Sequence, residues 1–296
     1  MAYRYVLGDT RVEAARLREQ ARLWDPVAHA LFDRLGVRRG WKVLEVGPGQ
    51  GSLHLELRRR IGGPADAVER SERFAADLQR ACARDGLGAG AIWQCDLADA
   101  PLPAARYHLI FARWVFLFLP DPEAHLRRLA RALRPGGLLA IQDYHRETLG
   151  MVPKPPEWED FLAADRALFA SQGGNASIGA RMPVLFRRAG LEATGVEPEI
   201  KTGHPGSPVW AWISNYFLSV MGQMEKFRPF TPAKAARLRK AWLAAGEDPA
   251  SLLIAGPIVN LPSLFVLARE SRVRVSASLA GGVFAVAVLG GLAATL

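Results

Sequence analysis

Apolar and polar positions change their spacing several times along the chain, and each change marks an element. Residues 11–35 place Val12, Ala15, Leu17, Leu23, Trp24, Val27, Ala30, Leu31 and Leu35 at helical intervals, with Pro26 interrupting them. This predicts two helices, the second starting with Asp25 as N-cap and Pro26 in its first turn. From Trp41 the run WKVLEVGPGQGSL reads as a short buried strand that turns acidic at Glu45 and then sets Gly47, Gly49 and Gly51 at every second position. SLHLELRRRI resumes helical spacing, so the predicted unit is strand, glycine turn, helix. Glycine lets the backbone bend sharply and approach a ligand closely, and the free N–H groups of the helix start face the turn.

The same alternation continues. AVERSE (67–72) ends a short strand at Glu69, and a helix follows from Arg73 to Asp85. Ala91 to Cys95 reads as the third strand, closing on Asp96 and Leu97, and the stretch 107–122 holds a fourth strand ending at Arg113 and Trp114. A helix from Glu123 to Leu133 reaches RPGG, which launches a fifth strand ending at Gln142, Asp143, Tyr144 and His145. Beyond it, 150–178 gives a proline-rich bend, an amphipathic helix and a loop, and Arg181 to Ala189 is a helix. A strand is expected at about 191–200 and a helix over 204–224 that carries Trp210, Trp212, Tyr216, Phe217, Met221 and Met224. Pro232 to Ala245 is a further helix, and SLLIAGPIVNLPSLFVLARE supplies the last strand.

Composition narrows the class. The 296 residues are 50% hydrophobic and 23% charged, enough for a full core and unlike a disordered chain. Cys82 and Cys95 are the two cysteines, so neither a disulfide framework nor a CxxC metal pair is expected, and a reducing, cytoplasmic setting fits. No metal site is expected. The net charge of +9 would suggest an anionic partner, but only six of the 38 basic residues are lysine. That bias reads as codon preference, with the arginines scattered over solvated helix faces, and nucleic acid is not the expected partner.

The glycine spacing departs from the dinucleotide pattern, which needs Gly or Ala where Ser52 stands. It resembles the E/D-x-G-x-G-x-G first motif of class I S-adenosylmethionine-dependent methyltransferases, of the small-molecule type similar to the ubiquinone and menaquinone biosynthesis enzymes. Glu69, Asp96 and the RPGG turn arrive in the order of that family, and Tyr5, Arg16, Leu17 and Gln20 loosely match its opening helix. The resemblance implies a Rossmann-like α/β fold with a seven-stranded, mostly parallel sheet, helices on both faces and a helical cap or lid. It implies S-adenosylmethionine as cofactor, with Glu45, Gly47, Gly49 and Gly51 around the methionine moiety, Glu69 on the ribose, Asp96 and Leu97 at the adenine, and Arg113 at the strand end beneath the methyl group. Phe118 stands where many relatives carry a histidine, so that position supplies no acid or base. His145 is the candidate base or acceptor ligand, and Trp114, Tyr144, Trp210 and Tyr216 are expected to line the acceptor pocket.

The expected organisation is an N-terminal helical cap over 1–40, a cofactor-binding core over 41–145, a helical lid and acceptor-binding insertion with one core strand over 146–235, the rest of the core over 236–270, and an apolar tail over 271–296. The expected reaction is in-line methyl transfer to a small, partly apolar or aromatic acceptor. The alternatives are a cofactor-binding protein without methyl transfer and an RNA methyltransferase using the basic surface. The opening residues lack an apolar signal-peptide core. Residues 275–296 carry no charge and follow Arg269, Arg272 and Arg274, so a tail anchor is one reading. Their glycines and alanines favour instead an extension that docks loosely or stays disordered. The sequence sets no oligomeric state.

Overall fold

The computed structural model describes residues 11–258 and 265–268. At the centre of its main sheet lies β1 (Val43–Val46), paired in parallel with β2 (Asp66–Glu69) on one side and β4 (Tyr107–Arg113) on the other. Beyond β2 comes β3 (Ile92–Gln94), and beyond β4 comes β5 (Leu133–Gln142), both parallel to their neighbours. α2 (Ser52–Ile61), α3 (Glu72–Arg84) and α4 (Pro122–Ala132) connect β1 to β2, β2 to β3 and β4 to β5.

Strands joined in this way are buried on both faces, and their alternate residues enter different cores. Leu109 and Phe111 of β4 pack with Ala28, Leu31, Phe32, Leu53 and Leu57, while Ile110 and Ala112 pack with Leu126, Leu129, Phe161 and Phe186. The expected Rossmann-like sheet with flanking helices is therefore present. Its core is five adjacent parallel strands rather than seven. At one edge β10 (Phe265–Ala268) pairs antiparallel with both β5 and β7 (Glu192–Gly195), which breaks the parallel run and gives the order β3-β2-β1-β4-β5-β10-β7.

Three local expectations change. Residues 11–35 form one helix, α1 (Arg11–Arg34), which runs through Pro26. Pro26 lies on the exposed side, so the carbonyl that loses its N–H partner meets water, while Trp24, Ala28, Leu31 and Phe32 keep one face buried. RPGG does not precede β5 but belongs to it: Tyr107 pairs with Leu133 and Leu109 with Leu138, so the strand bulges between. Gly136 takes φ +73°, and a Cβ on Gly137 would fall 2.6 Å from the Tyr107 carbonyl oxygen.

The third change is a second sheet. The stretch at 191–200 divides into β7 and β8 (Glu199–Gly203), and the last strand divides into β9 (Leu252–Ile258) and β10. β9 lies between β8 and β6 (Gly150–Val152), antiparallel to both. Together with α5 (Trp158–Ser171), α6 (Met182–Arg188), α7 (Pro208–Met224) and α8 (Pro232–Glu247), this sheet belongs to the part of the chain that follows β5.

α7 is held by aromatic contact. Phe217 meets Phe161 at 4.5 Å and Trp242 at 4.7 Å, both edge to face, and Trp242 also stacks on Trp210 and Trp158. Each such pair adds ~0.5–1.5 kcal/mol beyond burial of its area.

Among the described residues, no helix is long and apolar enough to cross a membrane. This overturns the tail anchor as an expectation of the fold. The segment on which it rested, 275–296, lies outside the described residues.

Candidate active site

The turn after β1 meets the end of β2. Gly47, Gly49 and Gly51 all have positive φ, at 66°, 55° and 83°. A Cβ at Gly47 would stand 2.6 Å from a Val115 methyl and one at Gly51 2.4 Å from a Leu78 methyl, so the protein itself closes those two positions. Nothing lies within 4 Å of a Cβ at Gly49, which leaves the crest of the turn open. The Gly49 N–H donates to Glu69 Oε2 at 2.9 Å, and the Ser71 N–H donates to Glu69 Oε1 at 2.8 Å. Burial pushes the Glu69 carboxyl up, against the lowering effect of these backbone hydrogen bonds. Gly51 caps α2 without a side chain, so the first-turn N–H groups of that helix have no side-chain acceptor at the cap.

Asp96 follows β3 and turns one oxygen, Oδ1, back to the Ala98 N–H at 2.9 Å, while Leu97 enters the core. Strand alternation sends Glu45 elsewhere. Leu44 and Val46 point into one core, so Glu45 points to the opposite face, beneath α2, where Oε2 lies 3.3 Å from His54 Nδ1. Burial disfavours the charged imidazole, but Cys82 and the Glu45 carboxylate beside it outweigh that, raising the His54 pKa to about 9. The pair ties β1 to α2, and the structure does not bring Glu45 to the open side of the glycine turn.

The end of β4 is strained. Trp114 has φ 55°, a conformation that costs a non-glycine residue ~1–2 kcal/mol. Its N–H donates to the Gln142 carbonyl at 2.7 Å, and its ring stacks on Tyr144 with centroids 5.4 Å apart and planes 10° from parallel. Arg113 lies 4.7 Å over the Trp114 ring and donates to Asp25 of α1 at 2.7 Å. Trp24 meets Trp114 edge to face at 6.1 Å and Trp212 at 5.4 Å, joining α1, β4 and α7 around one aromatic group.

Next to it lies a buried hub. Arg146 lies 4.8 Å from the Tyr144 ring, 4.7 Å from Phe169 and 4.4 Å from Tyr216, and pairs with Asp165 at 2.9 Å. The Tyr216 hydroxyl donates to Asp165 Oδ1 at 2.6 Å and also contacts Arg146. Burial pushes the Tyr144 phenol up to about 12, against the charges of Arg146, Arg16 and Arg113, so it stays protonated at neutral pH.

Comparison with known proteins decides what this arrangement belongs to. A model of the methyltransferase domain matches residues 44–141. Methyltransferase GfsG of Streptomyces halstedii is 35% identical over 229 residues, which cover 74% of this chain and 76% of GfsG. The chain is a class I S-adenosylmethionine-dependent methyltransferase.

Nocamycin O-methyltransferase of Saccharothrix syringae is 31% identical over 137 residues, and there the chain spans 46% of the relative's length. The YcgJ protein from Bacillus subtilis shares the fold with a TM-score of 0.55 at 16% identity, covering 82% of this chain and all of its own. Methyl transfer from S-adenosylmethionine to a small acceptor is thus the activity of this methyltransferase, and its cofactor follows from the family.

The methyltransferase brings together Gly47, Gly49, Gly51 and Glu69 at one turn, and Arg113, Trp114, Tyr144 and Tyr216 around another region. His145 follows Tyr144, with Nδ1 buried and unpartnered among the described residues. Trp210 is set apart: it stacks on Trp242 at 5.0 Å within the α7–α8 packing. Sequence reasoning missed Trp24, Asp25, Arg146 and Asp165. Asp165 carried a signal, since it shares helical spacing with Phe161, Leu162, Leu168 and Phe169, where a carboxylate is buried only with a partner.

Proposed function

We propose that this methyltransferase holds its cofactor over the carboxyl ends of β1 to β4 and encloses a partly apolar or aromatic acceptor between α1, α7 and the ends of β4 and β5. The observation that carries this reading is the contact between Glu69 and the Gly49 N–H. An ionised carboxylate has about four lone-pair sites. One of them takes the Gly49 N–H of the glycine turn and others take the N–H groups of Ser71 and Arg70 beyond β2, which leaves acceptor capacity for a hydroxyl of a ribose lying along the turn. Gly49 keeps the crest clear for close approach, and the N–H groups opening α2 suit the cofactor's carboxylate. Asp96 has Oδ2 left for an exocyclic amine, with Leu97 packed beside it.

When bound, S-adenosylmethionine supplies a methyl group already activated on a sulfonium. What remains for the chain is to orient the acceptor and exclude water, a contribution of up to ~7–11 kcal/mol in well-aligned reactions. Trp114 and Tyr144 form one flat wall, Trp24 and Trp212 meet edge to face next to it, and Arg113 is held by Asp25 beside them. His145 is the neighbouring group with an unpartnered nitrogen.

Calorimetry with S-adenosylmethionine tests the cofactor half. Glu69→Ala and Asp96→Ala are each expected to weaken binding about tenfold or more, the loss of one or two hydrogen bonds to a charged group. Affinity unchanged in both, with thermal unfolding intact, refutes the assignment. Conversion to S-adenosylhomocysteine separates turnover from mere binding.

A further inference from the structure

Where α1, β4 and β5 meet, several buried polar atoms have no hydrogen-bond partner among the described residues. They are the indole Nε1 of Trp24 and of Trp114, Nη1 of Arg113, Nε2 of Gln142 and Nδ1 of His145. The first four belong to neighbouring residues: the two indole rings meet edge to face, Arg113 lies over Trp114, and Arg113 pairs in register with Gln142, whose carbonyl takes the Trp114 backbone N–H. A buried donor left unmet costs ~1–3 kcal/mol, and such groups are scarce in folded proteins. Several in one place point to a ligand that meets them.

The chemistry of that ligand follows from the donors. Indole and guanidinium N–H groups donate and never accept, so the ligand must bring acceptor atoms. The local carboxylates are already engaged. Asp25 takes Arg113, Asp165 takes Arg146 and Tyr216, and Asp143 accepts from the N–H groups of Tyr144 and Leu117. The phenol of Tyr144 stays protonated at neutral pH, as described above. No carboxylate or phenolate is therefore free at this junction to take a proton from the acceptor; the unengaged basic group beside it, among the described residues, is the His145 imidazole.

Resting on the methyl-transfer reading above, we propose that the acceptor binds as an oxyanion, a carboxylate or an enolate of comparable acidity, gripped by the N–H donors of Trp24, Arg113 and Trp114. An oxygen lone pair forms the new O–CH3 bond as the methyl–sulfur bond breaks, and the electrons of that bond stay on sulfur. Anion and sulfonium become a neutral ester or enol ether and a neutral thioether, so the acceptor has no proton to release. The flat face of Trp114 on Tyr144 suits an acceptor whose anionic oxygen is conjugated to a planar system.

The test uses the full chain saturated with S-adenosylhomocysteine and two probes of one shape, trans-cinnamate and its neutral analogue trans-cinnamamide. Calorimetry is expected to find the acid bound about tenfold tighter than the amide, as charge-assisted hydrogen bonds exceed neutral ones. Trp24→Phe and Trp114→Phe keep a ring and delete a donor, and each should narrow that ratio about threefold while leaving S-adenosylhomocysteine affinity unchanged. An acid that binds no better than the amide, including no binding of either, overturns the proposal. So does an acid preference that survives both variants while their S-adenosylhomocysteine affinity falls, because the donors then serve the cofactor. If S-adenosylhomocysteine does not bind the parent protein at all, the methyl-transfer site itself is misassigned, and the proposal falls with it.

Discussion

Asp143 offers a quantitative test of how the end of β5 is built. Its side chain is 1% exposed, yet Oδ1 accepts from the Tyr144 N–H at 2.8 Å and Oδ2 from the Leu117 N–H at 3.1 Å. Burial raises its pKa from the ordinary 3.8 to about 7, the hydrogen bonds with Tyr144, Leu117 and Phe116 and the Arg146 charge only partly opposing it. The folded state therefore holds this proton more tightly than the unfolded chain does. Stability from this group is greatest at low pH, falls as pH rises from about 4 to about 7, and is level above that. Between pH 5 and pH 8 the difference in bound protons integrates to about 2.5 kcal/mol at 1.36 kcal/mol per pKa unit. Asn at this position carries no charge at either pH. Urea unfolding of the parent protein and of Asp143→Asn at both pH values isolates the group, because other titrations cancel in the difference. The parent is expected to lose about 2.5 kcal/mol more than the variant on going from pH 5 to pH 8. A difference below about 0.5 kcal/mol would mean that the backbone donors outweigh burial and that Asp143 is ionised throughout.

Other expectations follow from the same geometry. Gly47→Ala should cost about 2–5 kcal/mol in urea unfolding, combining a positive φ with the Val115 clash, whereas Gly49→Ala should cost only about 1–2 kcal/mol but weaken cofactor binding, its methyl facing the open crest. Equal losses of stability would contradict that contrast. Arg146→Met leaves Asp165 buried without its cation and is expected to destabilise the protein by about 3–5 kcal/mol, with part of the loss recovered when Asp165→Leu is added. A single-variant cost under about 1 kcal/mol would show that the hub is held by its rings alone.

The parallel core was legible because its signals are local. Strand, glycine turn and helix follow one another within a few residues at Val43–Ile61, and an acid ends β2 where the turn needs an acceptor. What escaped depended on distant partners. That Pro26 would be tolerated inside α1 depended on which side of the helix faces water, and Asp25 took Arg113 instead of capping. Glu45 read as part of the glycine motif, yet period-two alternation sends it beneath α2 to His54, a partner that motif reading ignores. Trp210 and Tyr216 lie six residues apart on α7 and looked equivalent. One packs on Trp242 and the other joins Arg146 and Asp165, a division set by α8 and α5. The second sheet was invisible because β6, three residues long, has no pattern of its own until β9 returns to it.

That returning strand constrains how the enzyme can be re-engineered. β6 precedes α5 and β8 precedes α7, but the strand that joins them, β9, comes after α8. A graft that exchanged only the segment between β5 and α8 with a relative would give β9 foreign neighbours on both sides, and Val152 opposite Leu252 or Thr202 opposite Ile254 would no longer match. The module that can be exchanged for a new acceptor preference therefore begins at Gly150 and has to run past Ile258 to Ala268, because β7 within it pairs with β10, and it then meets the parallel core at the β5–β10 pairing.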